Sequence, residues 1–412
     1  MNPLKSATDV IKKLKKSGHK AYFAGGWVRD YLLGHPSSDI DIATDAPPQT
    51  ILDLFPYTIL VGLNFGVVIV VYEGHQFEVA SFRKDLNYSD GRKPDQIELS
   101  TPQEDANRRD FTINGMFYDP CDGAIYDYVG GTDDLKKGII KAIGNPYERF
   151  IEDRLRMIRA VRFACRFGFA IDIETQNAVI ENADTLLPAV AMERVWQELN
   201  KMSNGPNFDH ALIEMHRLQL LPVIFPTLKD VHLNTIKKQV AAFVHFPENC
   251  PTILYLLALF PNTSFDEMTV ICQYLKISNK DLSLVRLALQ CEHLVENHLT
   301  IEPVEWAHFY AKTDASLVIK THAAFLVPEE NSRLLFGHQL RQESLQKHIV
   351  RIKSHTPLVS ASLLKTHGIP ESKLLGQLLI EAEKITVTYD LDDSEDALNR
   401  LKQLAIWPNP QS

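Results

Sequence analysis

The sequence lacks several features that would place it in a specialised class of protein. Its 412 residues contain no run of about 18 consecutive apolar residues, the length that a membrane span needs. The five cysteines are scattered without a Cys-x-x-Cys pair, which argues against a zinc site or a disulfide framework. The N-terminal segment is lysine-rich and amphipathic, with no apolar signal core. We therefore expect a cytoplasmic protein.

Positive charge is also scarce. The formal net charge is −9 at pH 7, whereas binding to nucleic-acid phosphates through the whole surface favours a basic balance. Any surface that binds RNA must then be a local patch of lysine and arginine. A chain of this length, with 45% hydrophobic residues, can bury a sizeable core and form two or more domains.

The hydrophobic pattern changes near residue 145. Between residues 21 and 144, segments such as DIDIAT and FEVASF alternate apolar and polar residues as half-buried strands do, and VVIVV is typical of a fully buried strand. From residue 145 onwards apolar residues recur at helical spacing, and no further strand is predicted. The pattern predicts an α+β protein, in which an α/β part is followed by an all-α part.

A glycine pair marks the first candidate site. The segment AYFAGGWVRDYLLG predicts a strand, a tight turn at Gly25 and Gly26, and a helix, so that backbone N–H groups and the helix dipole point at a ligand above the turn. Arg29, one turn into the helix, can donate to the same phosphates. Short glycine motifs also match by chance, and an ordinary strand-to-helix turn is the alternative.

The next segment, SSDIDIAT, places Asp39 and Asp41 two residues apart on a predicted strand. Both carboxylates then leave the same face of the strand and repel each other. A bridging divalent cation compensates such a pair, and hard oxygen ligands suit Mg²⁺ with phosphate oxygens completing its shell. A solvated strand face is the alternative. The preceding glycine turn favours a site at which a divalent cation acts on the phosphates of a nucleotide.

In this order the motifs resemble the signature of the DNA polymerase β-like nucleotidyltransferases, specifically the class II CCA-adding tRNA nucleotidyltransferases and bacterial poly(A) polymerases. The resemblance continues through RRDFTING (108–115), VGGTDDL (129–135), EDRLRMIRAVRFACRFGF (152–169), AMERVWQEL (191–199) and LQLLPVIFP (218–226). It implies a catalytic head at 1–144, a helical neck with a base-reading helix at 145–205, a helical body at 206–355 and an RNA-binding helical tail at 356–412.

The resemblance also implies roles for residues in the head. Glu78 in FEVASF is a candidate third catalytic acid beside the aspartate pair, with an ordinary strand-face charge as the alternative. Arg109, Asp110 and Asn114 in RRDFTIN would border the sugar and phosphates of the nucleotide. A surface charge cluster that caps a helix is the alternative for these three.

The segment EDRLRMIRAVRF is the candidate for reading a base. Asp153 and Arg156 are three residues apart on a predicted helix and would share a face, with Arg159 on the next turn. A carboxylate only accepts hydrogen bonds and a guanidinium only donates them. Cytosine and adenine both present an amine beside an unprotonated ring nitrogen, so the pair matches CTP and ATP but not GTP or UTP. A surface ion pair is the alternative.

Candidate contacts with RNA lie further along the chain. Arg194 in AMERVWQEL would steady the nucleotide-binding helix or the RNA end, with Glu193 and Glu198 around it. A helix cap or an ion pair between helices is the alternative for Arg194. The basic residues near the C-terminus would contact the tRNA backbone, with a solvated surface as the alternative. These residues are Lys347, Arg351, Lys353, Lys365 and Lys373.

Three activities are compatible with these motifs. The first is addition of CCA, or of its terminal A alone, to the 3′ end of tRNA with release of pyrophosphate. The second is poly(A) addition, and the third is inert RNA binding or transfer to a small molecule. The segment at 84–99 resembles the complete loop of enzymes that add the terminal A, and VGLNFGVV lacks an arginine-rich poly(A) polymerase pattern. CCA addition is expected, with tRNA as partner and without a membrane or an obligatory protein partner.

Overall fold

The structure is a computed structural model, and it describes residues 2–35, 37, 39–62, 66–86 and 96–408. The chain forms two compact units, Met1–Lys237 and Lys238–Ser412. The first combines a mixed sheet with helices and the second is helical, so the α+β prediction is confirmed. The boundaries expected after residues 144, 205 and 355 stay predictions.

A seven-stranded sheet forms the centre of the first unit. Its strand order is β3-β4-β5-β2-β1-β8-β9, with β2 and β5 parallel and the other neighbours antiparallel. The strands are β1 (Ala21–Ala24), β2 (Asp41–Thr44), β3 (Thr58–Gly62), β4 (Val67–Tyr72), β5 (His75–Ser81), β8 (Met116–Tyr118) and β9 (Ile125–Asp127). The strands predicted from DIDIAT and FEVASF are therefore confirmed as β2 and β5.

Two smaller strand pairs accompany this sheet. β6 (Arg83–Leu86) and β7 (Gln96–Leu99) form an antiparallel hairpin, while β10 (Ile139–Ile140) pairs in parallel with β11 (Ala170–Ile171). The expectation of no strand after residue 145 was therefore wrong at β11, whose two residues are too short to give a periodic signal. The loop expected at 84–99 lies partly outside the described residues, since 87–95 are among those not described.

One face of the sheet is closed by the main core and the other is partly open. Val68 and Val70 of β4 are fully buried with residues of the neighbouring strands and of the first helix, whereas Ile69 is only partly buried. The expectation that VVIVV is buried throughout was wrong, because alternate residues of β4 face the side on which Asp41 and Glu78 lie in register. That open side is where the candidate site is found.

Helices cover the sheet and continue to the end of the first unit. They are α1 (Pro3–Lys16), α2 (Gly26–Leu32), α3 (Pro48–Leu54), α4 (Pro102–Asn107), α5 (Gly131–Lys137), α6 (Pro146–Glu152), α7 (Leu155–Phe167), α8 (Ile173–Asn182), α9 (Leu186–Ala189), α10 (Met192–Ser203), α11 (Phe208–Arg217) and α12 (Leu220–Ile224). The buried side of α7 packs against α10 and α11.

The division between the two units falls within α13 (Leu233–Val240). The second unit then contains α14 (Thr252–Leu257), α15 (Phe265–Tyr274), α16 (Asn279–Glu296), α17 (Pro303–Tyr310), α18 (Ala315–Ala323), α19 (Pro328–Ser344), α20 (Gln346–Lys353), α21 (Ala361–Thr366), α22 (Lys373–Thr388) and α23 (Ser394–Leu401). No helix in the described part of the chain is long and apolar enough to cross a membrane.

Candidate active site

The turn between β1 and α2 needs glycine for two separate reasons. Gly25 has φ 64° and ψ −130°, a conformation that residues with a Cβ rarely adopt. A Cβ built on Gly25 would also lie 2.7 Å from Nη1 of Arg109. The strand, turn and helix predicted from AYFAGGWVRDYLLG are confirmed, and Arg109 lies against the turn.

Arg29 is enclosed beneath this turn. It is 4% exposed, its Nη1 donates to Oδ1 of Asn114 at 2.6 Å, and its Nε donates to Oδ1 of Asp30 at 2.8 Å. Its guanidinium lies over the rings of Phe163 and Phe167. These contacts use its donors to order Asn114, so the expected contact of Arg29 with phosphate stays a prediction.

The residues of RRDFTIN join the turn to α7. Oδ1 of Asp110 accepts from Nδ2 of Asn114 at 2.9 Å, and its Oδ2 accepts from Nε of Arg159 at 2.9 Å. Burial alone would raise the pKa of Asp110, but Arg159 and Asn114 outweigh it and hold this pKa below its usual range. Arg29, Asn114, Asp110 and Arg159 thus form one hydrogen-bonded chain, which brings four predicted nucleotide-binding residues together.

Three acidic side chains lie at the open face of the sheet. Asp41 is the first residue of β2 and is in register with Glu78 of β5. Asp39 lies two residues ahead, just outside the strand on which it was predicted. Burial raises the pKa of Asp41 to about 6, Glu78 and Asp39 add to this effect, and Arg109 opposes it. The acids are therefore close enough to repel each other.

The donor chemistry of this cluster fits a hard cation. Carboxylate oxygens are the ligands that Mg²⁺ prefers, and a cation relieves the repulsion that raises the pKa of Asp41. Among the described residues, however, no three His, Cys, Asp or Glu side chains are grouped so that they could hold a metal ion. A cation held by Asp39 and Asp41 would need further oxygen ligands from a substrate.

The raised pKa of Asp41 predicts a pH-dependent stability. Its folded pKa of about 6 lies above the unfolded value of 3.8, so its stabilising contribution is present below pH 3.8 and is lost as pH rises through 6. Without Mg²⁺, we expect Asp41→Asn to raise the free energy of unfolding at pH 7.5 by on the order of 2 kcal/mol, and to change it little at pH 4. Urea unfolding in EDTA at both pH values measures this. A variant with the same pH dependence as the wild type would contradict the repulsion.

The helix predicted through EDRLRMIRAVRF is interrupted at Asp153. α6 ends at Glu152, Asp153 is extended with φ −146° and ψ 103°, and α7 begins at Leu155, whose backbone N–H donates to Oδ1 of Asp153. The prediction that Asp153 and Arg156 share one helix face was therefore wrong. The extended backbone at Asp153, the C-cap of α6, separates the two helices, and its carboxylate accepts from the first residue of α7.

Asp153 and Arg156 are each bound to other groups. The carboxylate of Asp153 accepts from Nη1 and Nη2 of Arg194 at 3.2 and 2.9 Å. Nη1 of Arg156 donates to Oε2 of Glu152 at 2.8 Å, and its Nη2 donates to the carbonyl oxygen of Arg108 at 3.1 Å. Arg194 thus forms an ion pair with the residue that ends α6 and precedes α7, and the steadying role expected for Arg194 stays a prediction.

Two acidic residues near this site, Glu198 and Asp105, have partners that the sequence did not indicate. Glu198, expected beside Arg194, instead accepts from Nε of Arg162 at 2.6 Å and is 2% exposed. Asp105 is buried against Arg108 and Arg109. The ion pairs of Glu198 and of Asp105 join residues whose charges, judged from the neighbouring sequence alone, are typical of a solvated helix surface.

Three of the basic residues expected to bind RNA are held by acids in the second unit. Nη1 and Nη2 of Arg351 donate to the carboxylate of Glu383 at 2.7 and 2.6 Å. Nζ of Lys347 lies 2.9 Å from Oδ2 of Asp392, and the ammonium of Lys365 lies 3.0 Å from a carboxylate oxygen of Glu371. The remaining two, Lys353 and Lys373, are exposed, the first at the end of α20 and the second at the start of α22.

Two segments of the chain are similar to known family models. Residues 21–141 match the family model of the poly A polymerase head domain, and residues 168–231 match that of the probable RNA and SrmB-binding site of polymerase A. The CCA-adding enzyme of Ligilactobacillus salivarius is 30% identical over 97% of this chain and 96% of its own length. That of Geobacillus thermodenitrificans is 44% identical, over about half of each chain (51% and 52%).

A solved structure agrees with this similarity. The crystal structure of the Bacillus stearothermophilus CCA-adding enzyme in complex with CTP matches 97% of this chain and 98% of its own, with a TM-score of 0.79 and 28% identity. The resemblance inferred from the motifs is confirmed: the chain belongs to the family of CCA-adding enzymes, which are nucleotidyltransferases.

Proposed function

We propose that this enzyme adds C, C and A in turn to the 3′ end of tRNA without a nucleic-acid template, with CTP and ATP as substrates. The observation that carries the proposal is the register of Asp41 with Glu78 on the open face of the sheet, with Arg109 between these acids and the Gly25 turn. Repelling carboxylates beside a turn that accepts phosphates suit the transfer of a nucleotidyl group.

Asp39 and Asp41 would hold Mg²⁺ in this reaction. The bound ion supplies positive charge that neutralises phosphate oxygens and lowers the pKa of an attacking hydroxyl. Glu78, next to Asp41 in register, adds a negative charge that holds a cation or a hydroxyl proton on this face of the sheet. Arg109 places a guanidinium beside the same turn, where the triphosphate carries its negative charge.

The hydrogen-bonded chain beneath the turn fixes the sugar side of the site. Asp110 and Asn114 are held by Arg159 and Arg29, so their remaining oxygens and N–H groups have a fixed orientation. Fixed polar groups distinguish a ribose from a deoxyribose, because an analogue that lacks the 2′-hydroxyl leaves them without partners. This assigns ribose recognition to Asp110 and Asn114.

We assign base selection to Asp153 and Arg156, which would exchange their present partners, Arg194 and Glu152, for groups of the base. A cytosine or adenine amine would replace Arg194 as donor to Asp153, and its ring nitrogen would accept from Arg156 in place of Glu152. Asp153 and Arg156 then each exchange a charge-assisted hydrogen bond for a hydrogen bond to the base, while the displaced Glu152 keeps its ion pair with Arg149. Guanine and uracil present the opposite order of donor and acceptor and would leave both charges unpaired.

The experiment that tests this function uses four tRNA transcripts, ending at the discriminator base, at C, at CC and at CCA. With Mg²⁺ and each NTP supplied separately or together, we expect CTP to extend the first two transcripts and ATP to extend the CC-ended one. The CCA-ended transcript should not be extended. Extension of the CC-ended transcript alone would indicate an A-adding enzyme, and ATP-dependent lengthening of the CCA-ended transcript would indicate a poly(A) polymerase.

The tRNA backbone is assigned in part to Lys353 and Lys373, the exposed members of the predicted basic set. We expect the double variant Lys353→Glu and Lys373→Glu to raise the KM for tRNA by about tenfold, because each lost phosphate contact weakens binding, while the KM for CTP is unchanged. Initial rates with varied tRNA measure this. The double variant Lys136→Glu and Lys137→Glu, which changes the charge equally on α5, is the control. An equal effect in both would contradict the assignment.

A cytoplasmic location is part of the proposal. All five cysteines are free, as is usual in a reducing compartment. Cell fractionation with an antibody against the chain tests it, and recovery of the enzyme in a membrane or exported fraction would contradict it.

A further inference from the structure

Asp105 is a buried acid that binds two arginines from the inside of α4. It is 1% exposed; its Oδ2 accepts from Nε and Nη2 of Arg109 at 3.2 and 3.0 Å, and its Oδ1 accepts from Nε of Arg108 at 2.9 Å. Burial alone would raise the pKa of Asp105, but Arg109 and Arg108 outweigh it and keep the carboxyl ionised. A carboxylate this deeply buried is costly without such partners.

The start of α4 does not depend on Asp105. Thr101 and Glu104 form a reciprocal capping box, in which each side chain bonds to the backbone of the other residue. That pair already satisfies the first N–H groups of the helix. The burial of Asp105 therefore has its consequences at the arginines that it holds.

Arg109 reaches from Asp105 to the nucleotide turn. Its Nη1 donates to the carbonyl oxygen of Asn114 at 3.3 Å, and its guanidinium lies 5.3 Å from the ring centre of Phe117. The same Nη1 occupies the space that a Cβ on Gly25 would need. Bonds from Asp105 to two nitrogens of one planar guanidinium fix its orientation, which a single contact would leave free to turn.

Asp105 also contacts the β6–β7 hairpin, which follows β5 along the chain. Its Oδ1 accepts from the backbone N–H of Arg83, the first residue of β6, at 3.3 Å. Asp105 thus bonds both Arg109, which lies against the Gly25 turn, and the first residue of the β6–β7 hairpin.

We propose that Asp105 is a positioning residue that fixes Arg109 against the Gly25 turn for contact with the phosphates of the incoming nucleotide, and that couples this contact to the β6–β7 hairpin. The proposal rests on the function proposed above. Arg108 also binds this carboxylate and lies 3.9 Å from Asp85, so the negative charge of Asp105 is shared between two arginines and does not fully neutralise Arg109.

Asp105→Asn tests the positioning role, since it keeps the size of the side chain and removes its charge. We expect the KM for both CTP and ATP to rise about tenfold, with a change in kcat of less than about threefold, because the phosphate contact is made before the chemical step. Asp105→Glu, which keeps the charge, should recover part of the loss. Asp172→Ala, which removes the N-cap of α8, is the control for lost stability and should leave both KM values unchanged.

A double-mutant cycle shows whether Asp105 acts through Arg109. If it does, Asp105→Asn should add little to the KM of Arg109→Lys, whereas independent effects on log KM would add. Hydrogen exchange supplies a second measurement: CTP should slow the exchange of amides in Arg83–Leu86 and Gln96–Leu99 in the wild type, and Asp105→Asn should abolish that protection.

Two outcomes would overturn the proposal. One is a lowered melting temperature of Asp105→Asn with KM values equal to those of the wild type, which would make Asp105 a residue of stability alone. The other is additivity in the cycle. A wild-type enzyme that incorporates neither CTP nor ATP would instead contradict the proposed function, so the two failures are distinguishable.

Discussion

Replacing both Asp39 and Asp41 with alanine should abolish nucleotide incorporation, with kcat falling by about a thousandfold or more, while tRNA binding stays close to that of the wild type. Without these carboxylates the site would lose the charge proposed to hold Mg²⁺ beside the phosphates, and these residues lie far in sequence from the lysines assigned to the RNA backbone. Incorporation of labelled CTP into a tRNA transcript measures the first effect, and a gel-shift titration measures the second.

The control removes two aspartates elsewhere in the same unit. Asp53 and Asp133 are exposed on α3 and α5, so replacing both with alanine changes the net charge by the same amount. That variant should keep its activity. A double variant of Asp39 and Asp41 that loses tRNA binding together with activity would contradict the separation between metal site and RNA surface.

The second large effect is expected from Arg156→Ile. The substitution removes the donor assigned to the ring nitrogen, and we expect the preference for CTP and ATP over GTP and UTP to fall by at least about a hundredfold. The preference is the ratio of kcat/KM values for single additions to a tRNA transcript. The KM for pyrophosphate in the reverse reaction reports on the phosphate site and should change by much less.

Two further variants separate base reading from the ion pairs seen in the structure. Glu152→Gln removes the partner of Arg156 but keeps all donors of Arg156, so the preference should be maintained. Arg194→Ala removes the partner of Asp153. If Arg156→Ile kept the preference and Arg194→Ala lost it, the base would be read by Asp153 with Arg194, and the role assigned to Arg156 would be wrong.

The sequence predicted well where function and local geometry impose one pattern. The alternation in FEVASF predicts β5, and the Gly25-Gly26 pair predicts the turn into α2, because the backbone there accepts few other residues. The sequence predicted burial less well where contacts with distant parts of the chain decide which side chains are covered. Val67, Ile69 and Val71 of VVIVV are only partly buried because the face with Asp41 and Glu78 is not closed by the core, and no property of these side chains indicates this.

The interruption at Asp153 shows a second limit. The residues from Pro146 to Phe167 have a continuous helical pattern, and neither glycine nor proline marks the break. The break depends on a carboxylate that accepts from the backbone of Leu155 and from Arg194, which is 41 residues away. The role proposed for Asp105 could not be predicted for the same reason. Its partner Arg109 is near in sequence, but the turn at Gly25, against which Arg109 lies, is not.

The hydrogen-bonded chain beneath the turn can form only at a late stage of synthesis on the ribosome. Asp110 obtains its partner Arg159 only 49 residues later, and Arg162 on the same helix obtains Glu198 a further 36 residues on. The strands of the sheet have all emerged before either pair can form. A nascent chain that ends near residue 144 contains the acids of β2 and β5 but neither Arg159 nor Glu198, so the ribose contacts proposed for Asp110 would be ordered only after α7 and α10 have been synthesised.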